Sequence, residues 1–183
     1  MTDRRVRFEA QALPHLDAAL NLARWLTRSR ADADDIVQEA MLRAFRAFDG
    51  VRGSDVKPWL LTIVRNCCMT WTSGERRRTR NVQPIDEAVA SKDNLLAVPL
   101  PDPETAAIGA DEGEKLAALV QALPEDFRTV LILREWEDLS YKEIAEVTGM
   151  PIGTVMSRLA RARALLKDAW FDRVEGGARH AVR

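Results

Sequence analysis

The chain has 183 residues, 46% of them hydrophobic and 30% charged, and a net charge of −1, which allows two small cores rather than one large one. Its longest apolar runs fall far short of the roughly 20 residues that a membrane-spanning helix needs. The charged start is not followed by an apolar signal segment. We therefore expect a cytoplasmic protein without membrane insertion.

The residue types that act in catalysis or bind metals are not spaced as in a known catalytic or metal site. Cys67 and Cys68 are neighbours, which disfavours a disulfide and favours two buried thiols, and His15 and His180 lie near opposite ends of the chain. Paired carboxylates, a Cys-His pair and a glycine-rich phosphate loop are also missing from the pattern. We expect no metal, no cofactor and no enzymatic activity.

Charge is distributed unevenly along the chain. Residues 82–111 collect prolines and acidic side chains and lose helical periodicity, which is typical of a flexible linker. Elsewhere apolar residues recur every three or four positions, which predicts an all-α protein. We predict two small helical domains, 8–80 and 112–172, joined by a flexible acidic, proline-containing linker at 81–111. Basic residues cluster on either side of this linker, at Arg65, Arg76, Arg77, Arg78 and Arg80 and again at Arg158, Arg161, Arg163 and Lys167.

The first domain should contain helices at about 13–27, 32–48 and 58–72. The second of these presents a polar face that includes one leucine, and contact with a partner would explain that leucine. The alternative is an ordinary solvated face with a stray leucine. The face comprises Asp35, Gln38, Glu39, Leu42 and Arg46.

The third predicted helix has an apolar side and a mixed side. The apolar side holds Leu60, Ile63, Val64, Cys67 and Trp71, and the mixed side holds Trp59, Thr62, Asn66 and Thr70. An aromatic ring beside amides and hydroxyls, followed by Arg76 and Arg77, suits binding of unpaired bases by stacking and hydrogen bonds. The alternative is a core tryptophan followed by a solvated basic helix end.

The second domain carries a helix-turn-helix pattern. Ser140 and Glu143 form a predicted capping box that opens a short helix, Gly149 permits a tight turn, and a longer helix follows from Pro151 to about Trp170.

The longer helix separates into an inward and an outward stripe. Val155, Leu159, Ala162 and Leu166 should face inward, and Ser157, Ala160, Arg161 and Ala164 outward. Small outward residues let the backbone approach DNA, so Arg161 becomes a candidate reader of a guanine edge in the major groove, with Ser157 on a base or phosphate. Thr154, Arg158 and Arg163 suit phosphates. The alternative is a solvated amphipathic helix.

Four segments resemble the sigma-70 superfamily, in its extracytoplasmic-function (ECF) group. They are DDIVQEAMLRAF at 34–45, PWLLTIVRN at 58–66, LSYKEIA at 139–145 and GTVMSRLARAR at 153–163. They follow one another in the family's order and spacing over both predicted domains, which is far more specific than a lone helix-turn-helix.

The resemblance implies a sigma factor that binds core RNA polymerase, through its clamp coiled coil and flap, and promoter DNA. It implies clamp contacts by Asp35, Gln38, Glu39 and Leu42, and −10 strand contacts at Asn66 and Thr70, with the segment 52–57 capturing a flipped base. It also implies −35 contacts by Met156, Ser157, Ala160 and Arg161. Met156 stands where many relatives carry a basic residue and Ala160 where some carry an aromatic one, so the −35 sequence is not transferable. The short segment before Phe8 implies control by an anti-sigma factor, and the ECF group implies a stress response.

Two other functions fit parts of the pattern. One is a transcriptional regulator that binds duplex DNA alone through the helix-turn-helix. The other is a sigma-like decoy that binds an anti-sigma factor and never contacts DNA, although such a decoy should have lost Arg158, Arg161 and Arg163.

Overall fold

The computed structural model describes residues 2–50, 56–81 and 106–180. Within these ranges the secondary structure consists of helices and turns, as the all-α prediction requires. Four of the α-helices in the described ranges precede residue 82 and four follow residue 105. They are α1 (Thr2–Ala12), α2 (Leu16–Thr27), α3 (Arg30–Ala47), α4 (Val56–Asn81), α5 (Ala106–Ala122), α6 (Glu125–Glu135), α7 (Tyr141–Thr148) and α8 (Ile152–His180).

Helices α2, α3 and α4 pack against one another and form the core of the first domain. The turn between α2 and α3 is sharp because Arg28 adopts a left-handed conformation with φ of 63°, and Ser29 then caps α3 by accepting a hydrogen bond from the Asp32 amide at 3.3 Å. The periodic apolar residues of the first domain are buried as predicted, at Leu22, Trp25, Ile36, Val37, Ala40, Leu60 and Val64.

Helix α1 extends this domain toward the N-terminus, where the sequence predicted no helix. The Phe8 ring packs edge-on against Phe45 at 5.2 Å and Phe48 at 5.3 Å between ring centroids. Arg4 donates hydrogen bonds to the backbone oxygens of Phe45 and Arg46 and forms a 3.1 Å ion pair with Asp49. These contacts fix α1 across the C-terminal end of α3.

Helix boundaries differ from the prediction at three places. α4 continues to Asn81 instead of ending near Thr72, and α8 continues past Trp170 to His180. α5 begins at Ala106, so the predicted linker extends too far at its C-terminal end. Residues 82–105, the rest of the predicted linker, lie outside the described residues.

The two domains are packed together. α2 contacts α6 and α4 contacts α7, and the buried residues of both halves belong to one continuous hydrophobic cluster. Trp25 of α2 and Trp136, next to the end of α6, lie 5.5 Å apart between ring centroids. The two predicted domains therefore share one continuous cluster of buried residues.

Candidate nucleic-acid interface

The helix-turn-helix is built as predicted. Ser140 Oγ accepts a hydrogen bond from the Glu143 amide at 3.3 Å, and Glu143 Oε2 accepts one from the Ser140 amide at 2.7 Å, which completes the capping box. These hydrogen bonds lower the pKa of the Glu143 carboxyl. Gly149 ends α7 with φ of +70°, a conformation that costs glycine little. The resulting turn places α8 across α6 and α7.

The inward and outward stripes of α8 are confirmed. Val155, Leu159 and Ala162 are buried, and Leu166 is partly buried against the core. Ser157, Ala160, Arg161 and Ala164 are exposed. This outward stripe therefore presents three short side chains and Arg161 to solvent, beside the larger exposed side chains of Met156 and Arg163.

A shallow cleft of about 330 Å³ lies between the start of α6 and the first turns of α8. Its polar lining is formed by Asp126, Thr154, Ser157, Arg158 and Arg161. Ser157 donates a hydrogen bond to the Thr154 backbone oxygen at 3.0 Å. Met156, another predicted −35 residue, is 51% exposed.

Two of the predicted phosphate-binding arginines already have acidic partners. Arg158 Nη1 lies 3.0 Å from Asp126 Oδ2 and 2.6 Å from the sulfur of Met150. Arg163 donates to Glu135 Oε1 through Nε at 3.0 Å and Nη2 at 2.5 Å, and these hydrogen bonds raise the pKa of Arg163. Both acids lie on α6, far from α8 in sequence, so the prediction from local pattern missed them.

The predicted −10 residues lie along α4. Asn66 and Thr70 are exposed, as expected for a binding face. Trp59 is half-buried and its ring centroid lies 6.4 Å from that of Phe48, so much of it belongs to the core. Arg76 and Arg77 belong to the C-terminal part of α4, but their side chains lie outside the described residues, as do residues 52–55 of the predicted base-capturing segment.

Helix α4 buries Cys68, as the sequence predicted, together with Leu61, which was not assigned to its apolar side. Leu61 and Cys68, seven residues apart and thus on one side of the helix, are fully buried. Burial raises the pKa of the Cys68 thiol to about 12, and the negative charge of Glu125 on α6 adds to the shift. Helix α4 contacts α7 of the second domain.

The predicted clamp-binding residues share one exposed face of α3. Asp35, Gln38 and Glu39 are exposed, and Leu42 is 48% exposed. Glu39 also pairs with Arg43 at 2.7 Å. Cys67, which the sequence predicted to be a buried thiol, is buried beside this pair, and burial raises its pKa. The unusual leucine of this face is thus available for contact.

Within the described residues, no helix is both long and apolar enough to cross a membrane. In the same part of the chain, no group of His, Cys, Asp and Glu side chains is arranged to hold a metal ion.

Two family models match the chain, one in each domain. Residues 13–78 match sigma-70 region 2, and residues 113–166 match sigma-70 region 4. The ECF RNA polymerase sigma-E factor of Haemophilus influenzae is 36% identical over 150 residues, which cover 78% of each chain. The chain belongs to the ECF group of the sigma-70 family. The RNA polymerase sigma-H factor of Pseudomonas aeruginosa is also similar to this ECF sigma factor, with 34% identity over 165 residues, 88% of this chain and 85% of the relative.

Solved structures support the same assignment. The sigma factor RpoE of Bartonella quintana, crystallised with the anti-sigma factor NepR, superposes on this ECF sigma factor with a TM-score of 0.65 and 26% identity, covering 90% of this chain and 96% of that one. CnrH, solved with the cytosolic domain of CnrY, shares the fold with a TM-score of 0.61 and 23% identity, covering 92% and 90%.

Proposed function

We propose that this ECF sigma factor binds core RNA polymerase in the cytoplasm and directs it to promoters, leaving the chemistry of RNA synthesis to the core enzyme. The observation that carries the proposal is the outward face of α8. There Arg161 is exposed on one stripe with Ser157, Ala160 and Ala164, on the helix that follows the capped helix α7 and the glycine turn. This is the geometry by which helix-turn-helix proteins read the major groove.

In the −35 complex, Arg161 reads a guanine edge, because its guanidinium matches the two acceptors that guanine presents in the major groove. The side chains of Ala160 and Ser157 are short enough for α8 to lie close to the DNA in the groove, and Met156 supplies an apolar contact to the DNA. Thr154, Arg158 and Arg163 bind phosphates, and the two paired arginines exchange their carboxylate partners for phosphate oxygens.

The first domain makes the other two contacts. Asp35, Gln38, Glu39 and Leu42 bind the clamp coiled coil, with Leu42 as the apolar centre of a polar patch. The exposed Asn66 and Thr70, with Trp59, Arg76 and Arg77, bind the melted −10 strand.

Control by an anti-sigma factor follows from the relatives. The similar sigma factor RpoE was co-crystallised with the anti-sigma factor NepR, and CnrH was solved in complex with the cytosolic domain of CnrY. A separate protein would then keep this sigma factor inactive until stress releases it.

Run-off transcription with purified core polymerase on genomic fragments tests the function. We expect core enzyme to gain defined start sites when the protein is added, and mapping those sites yields both promoter elements. A stand-alone regulator would bind duplex DNA without polymerase, and a decoy would give no start sites.

Arg161→Ala tests the −35 role. We expect loss of preference at one −35 position, worth about 1–3 kcal/mol for a bidentate base contact. Lys167→Ala is the control, since Lys167 is an exposed cation farther along the same helix. Unchanged −35 preference in Arg161→Ala would refute the assignment.

Leu42→Asp tests the clamp face. We expect weaker retention of core polymerase with an unchanged far-UV circular dichroism spectrum, because a carboxylate cannot replace an apolar contact. Leu13→Asp is matched to it, since Leu13 is also 48% exposed but lies outside the predicted face. Equal retention of core by both variants would count against the clamp assignment.

A further inference from the structure

A second cleft, of about 440 Å³, lies between the end of α2, residues 71–72 of α4 and the turn from α5 to α6. We call it the α2–α6 cleft. Its volume falls within the range of small-ligand sites, and its mixture of apolar and polar side chains is typical of them. The lining includes the half-buried indole of Trp71, the apolar side chains of Leu26 and Leu123, and the charged side chains of Arg28, Glu125 and Arg128.

Two guanidinium groups meet at one carbonyl beside this cleft. Arg28 Nη2 donates to the Gln121 backbone oxygen at 2.8 Å, and Arg128 Nη1 donates to the same oxygen at 2.9 Å. Arg128 Nη1 also donates to the Leu123 backbone oxygen at 3.1 Å. A single cation suffices to cap the C-terminal end of a helix such as α5. Two cations at one oxygen repel each other, so the cleft carries more positive charge than the cap requires.

The Arg128 guanidinium is buried and not fully hydrogen-bonded. Arg128 is 3% exposed, and its Nε has no hydrogen-bond partner among the described residues. Burial and the positive charge of Arg28 lower the pKa of Arg128 to about 10, and the carboxylate of Glu125 offsets only part of this shift. A buried cation with an unsatisfied N–H group raises the free energy of the folded chain. An anion in the cleft would lower that free energy.

Arg28 occupies a backbone position that suits glycine. Its φ is 63°, close to the φ of 70° at Gly149, and a side chain in this left-handed region is strained. Glycine would end α2 at a lower cost. An arginine here therefore points to a role for its guanidinium, and its contact with the Gln121 oxygen duplicates the one that Arg128 makes.

We propose that the α2–α6 cleft binds a nucleoside monophosphate, with the phosphate between Arg28 and Arg128 and the base against Trp71. Guanidinium groups bind phosphate oxygens through charge-assisted hydrogen bonds, and an indole ring stacks on any base. Two guanidiniums and one carboxylate suit a single phosphate group, because the further charges of a polyphosphate would meet Glu125. The proposed polymerase and promoter contacts use none of these side chains, so the proposal is independent of the proposed function.

Amide NMR spectra of the full chain, recorded while adenosine monophosphate is added at low salt, test the site. We expect saturable shifts of the Trp71 indole N–H and of the Ala122 and Leu123 amides, with the amides of Ser157 and Arg161 on α8 unchanged. Adenosine and inorganic phosphate each carry only part of the ligand and should each bind about tenfold more weakly. Three results would overturn the proposal: no saturable shift in the cleft, shifts confined to α8, or inorganic phosphate binding as tightly as the nucleotide.

A glycine variant separates binding from folding. Arg28→Gly removes one guanidinium and supplies the residue that the left-handed backbone favours. The chain should therefore keep its circular dichroism spectrum while its affinity for adenosine monophosphate falls about tenfold. Arg30→Ala is the matched control, since Arg30 is an exposed arginine at the start of α3 and its loss changes the net charge equally. Unchanged affinity in Arg28→Gly, or an equal loss in Arg30→Ala, would contradict the assignment of the phosphate.

Glu125→Gln should have the opposite effect. It removes the carboxylate from the lining, so the affinity for adenosine monophosphate should rise, which a purely structural role of the cleft would not produce. Glu146→Gln is the control, because it removes the same charge from an exposed position on α7. Trp71→Leu should lower the affinity for the nucleotide to that for inorganic phosphate. Weaker binding in Glu125→Gln, or full affinity in Trp71→Leu, would show that the nucleotide does not bind in this cleft.

Discussion

The pairing of Arg163 with Glu135 leads to a testable effect on DNA binding. Both side chains are about half exposed, at 50% and 41%, so the pair contributes only about 0.2–1 kcal/mol. A phosphate that binds Arg163 must displace Glu135 and then tolerate its charge nearby. Glu135→Gln removes both costs. We expect binding to a −35 duplex to strengthen by up to about 1 kcal/mol, or about fivefold.

Fluorescence anisotropy of a labelled −35 duplex, titrated at several salt concentrations, measures this effect. The gain should shrink as salt rises, since both the ion pair and the repulsion are screened. Glu146→Gln is the control, because it removes the same charge from α7 at an exposed glutamate. If both variants bind the duplex more tightly by the same amount, the change in net charge explains the effect and the pairing of Glu135 with Arg163 does not. Weaker binding in Glu135→Gln would show that Glu135 orients Arg163 for DNA, contrary to the argument.

Two further predictions concern the fold around the site. Ser140→Ala removes the hydroxyl that caps α7 and should lower the free energy of unfolding by about 1 kcal/mol in chemical denaturation. Hydrogen bonds to Ser140 lower the pKa of Glu143, so the ionised Glu143 stabilises the folded state above the ordinary pKa of 4.5, and this stabilisation is lost as pH falls through the lowered pKa of the folded state. The free energy of unfolding that Ser140→Ala removes should therefore be smaller in acid. Burial raises the pKa of Cys68 to about 12, so iodoacetamide at pH 8 should alkylate Cys68 far more slowly in the native chain than in urea. Peptide mapping measures the extent of alkylation, and rapid alkylation of the native chain would contradict the burial of Cys68.

Local patterns were enough to predict the helix-turn-helix. The capping box, the glycine turn and the stripes of α8 each depend on residues within a few positions of one another, and the structure has all three. Helix α1 was missed because its sequence, TDRRVRFEAQA, is mostly polar and its stabilising contacts come from Phe45, Phe48 and Asp49 on and after α3.

Contacts between distant residues could not be predicted from one sequence. Asn21 and Glu137 are 116 positions apart, and neither carries a local signal that it is buried or paired. The pairs that Arg158 and Arg163 form with Asp126 and Glu135 likewise join separate helices. A polar residue whose partner lies on another helix carries no sign of that partner in the nearby sequence. The sequence therefore predicted only phosphate contacts for these arginines.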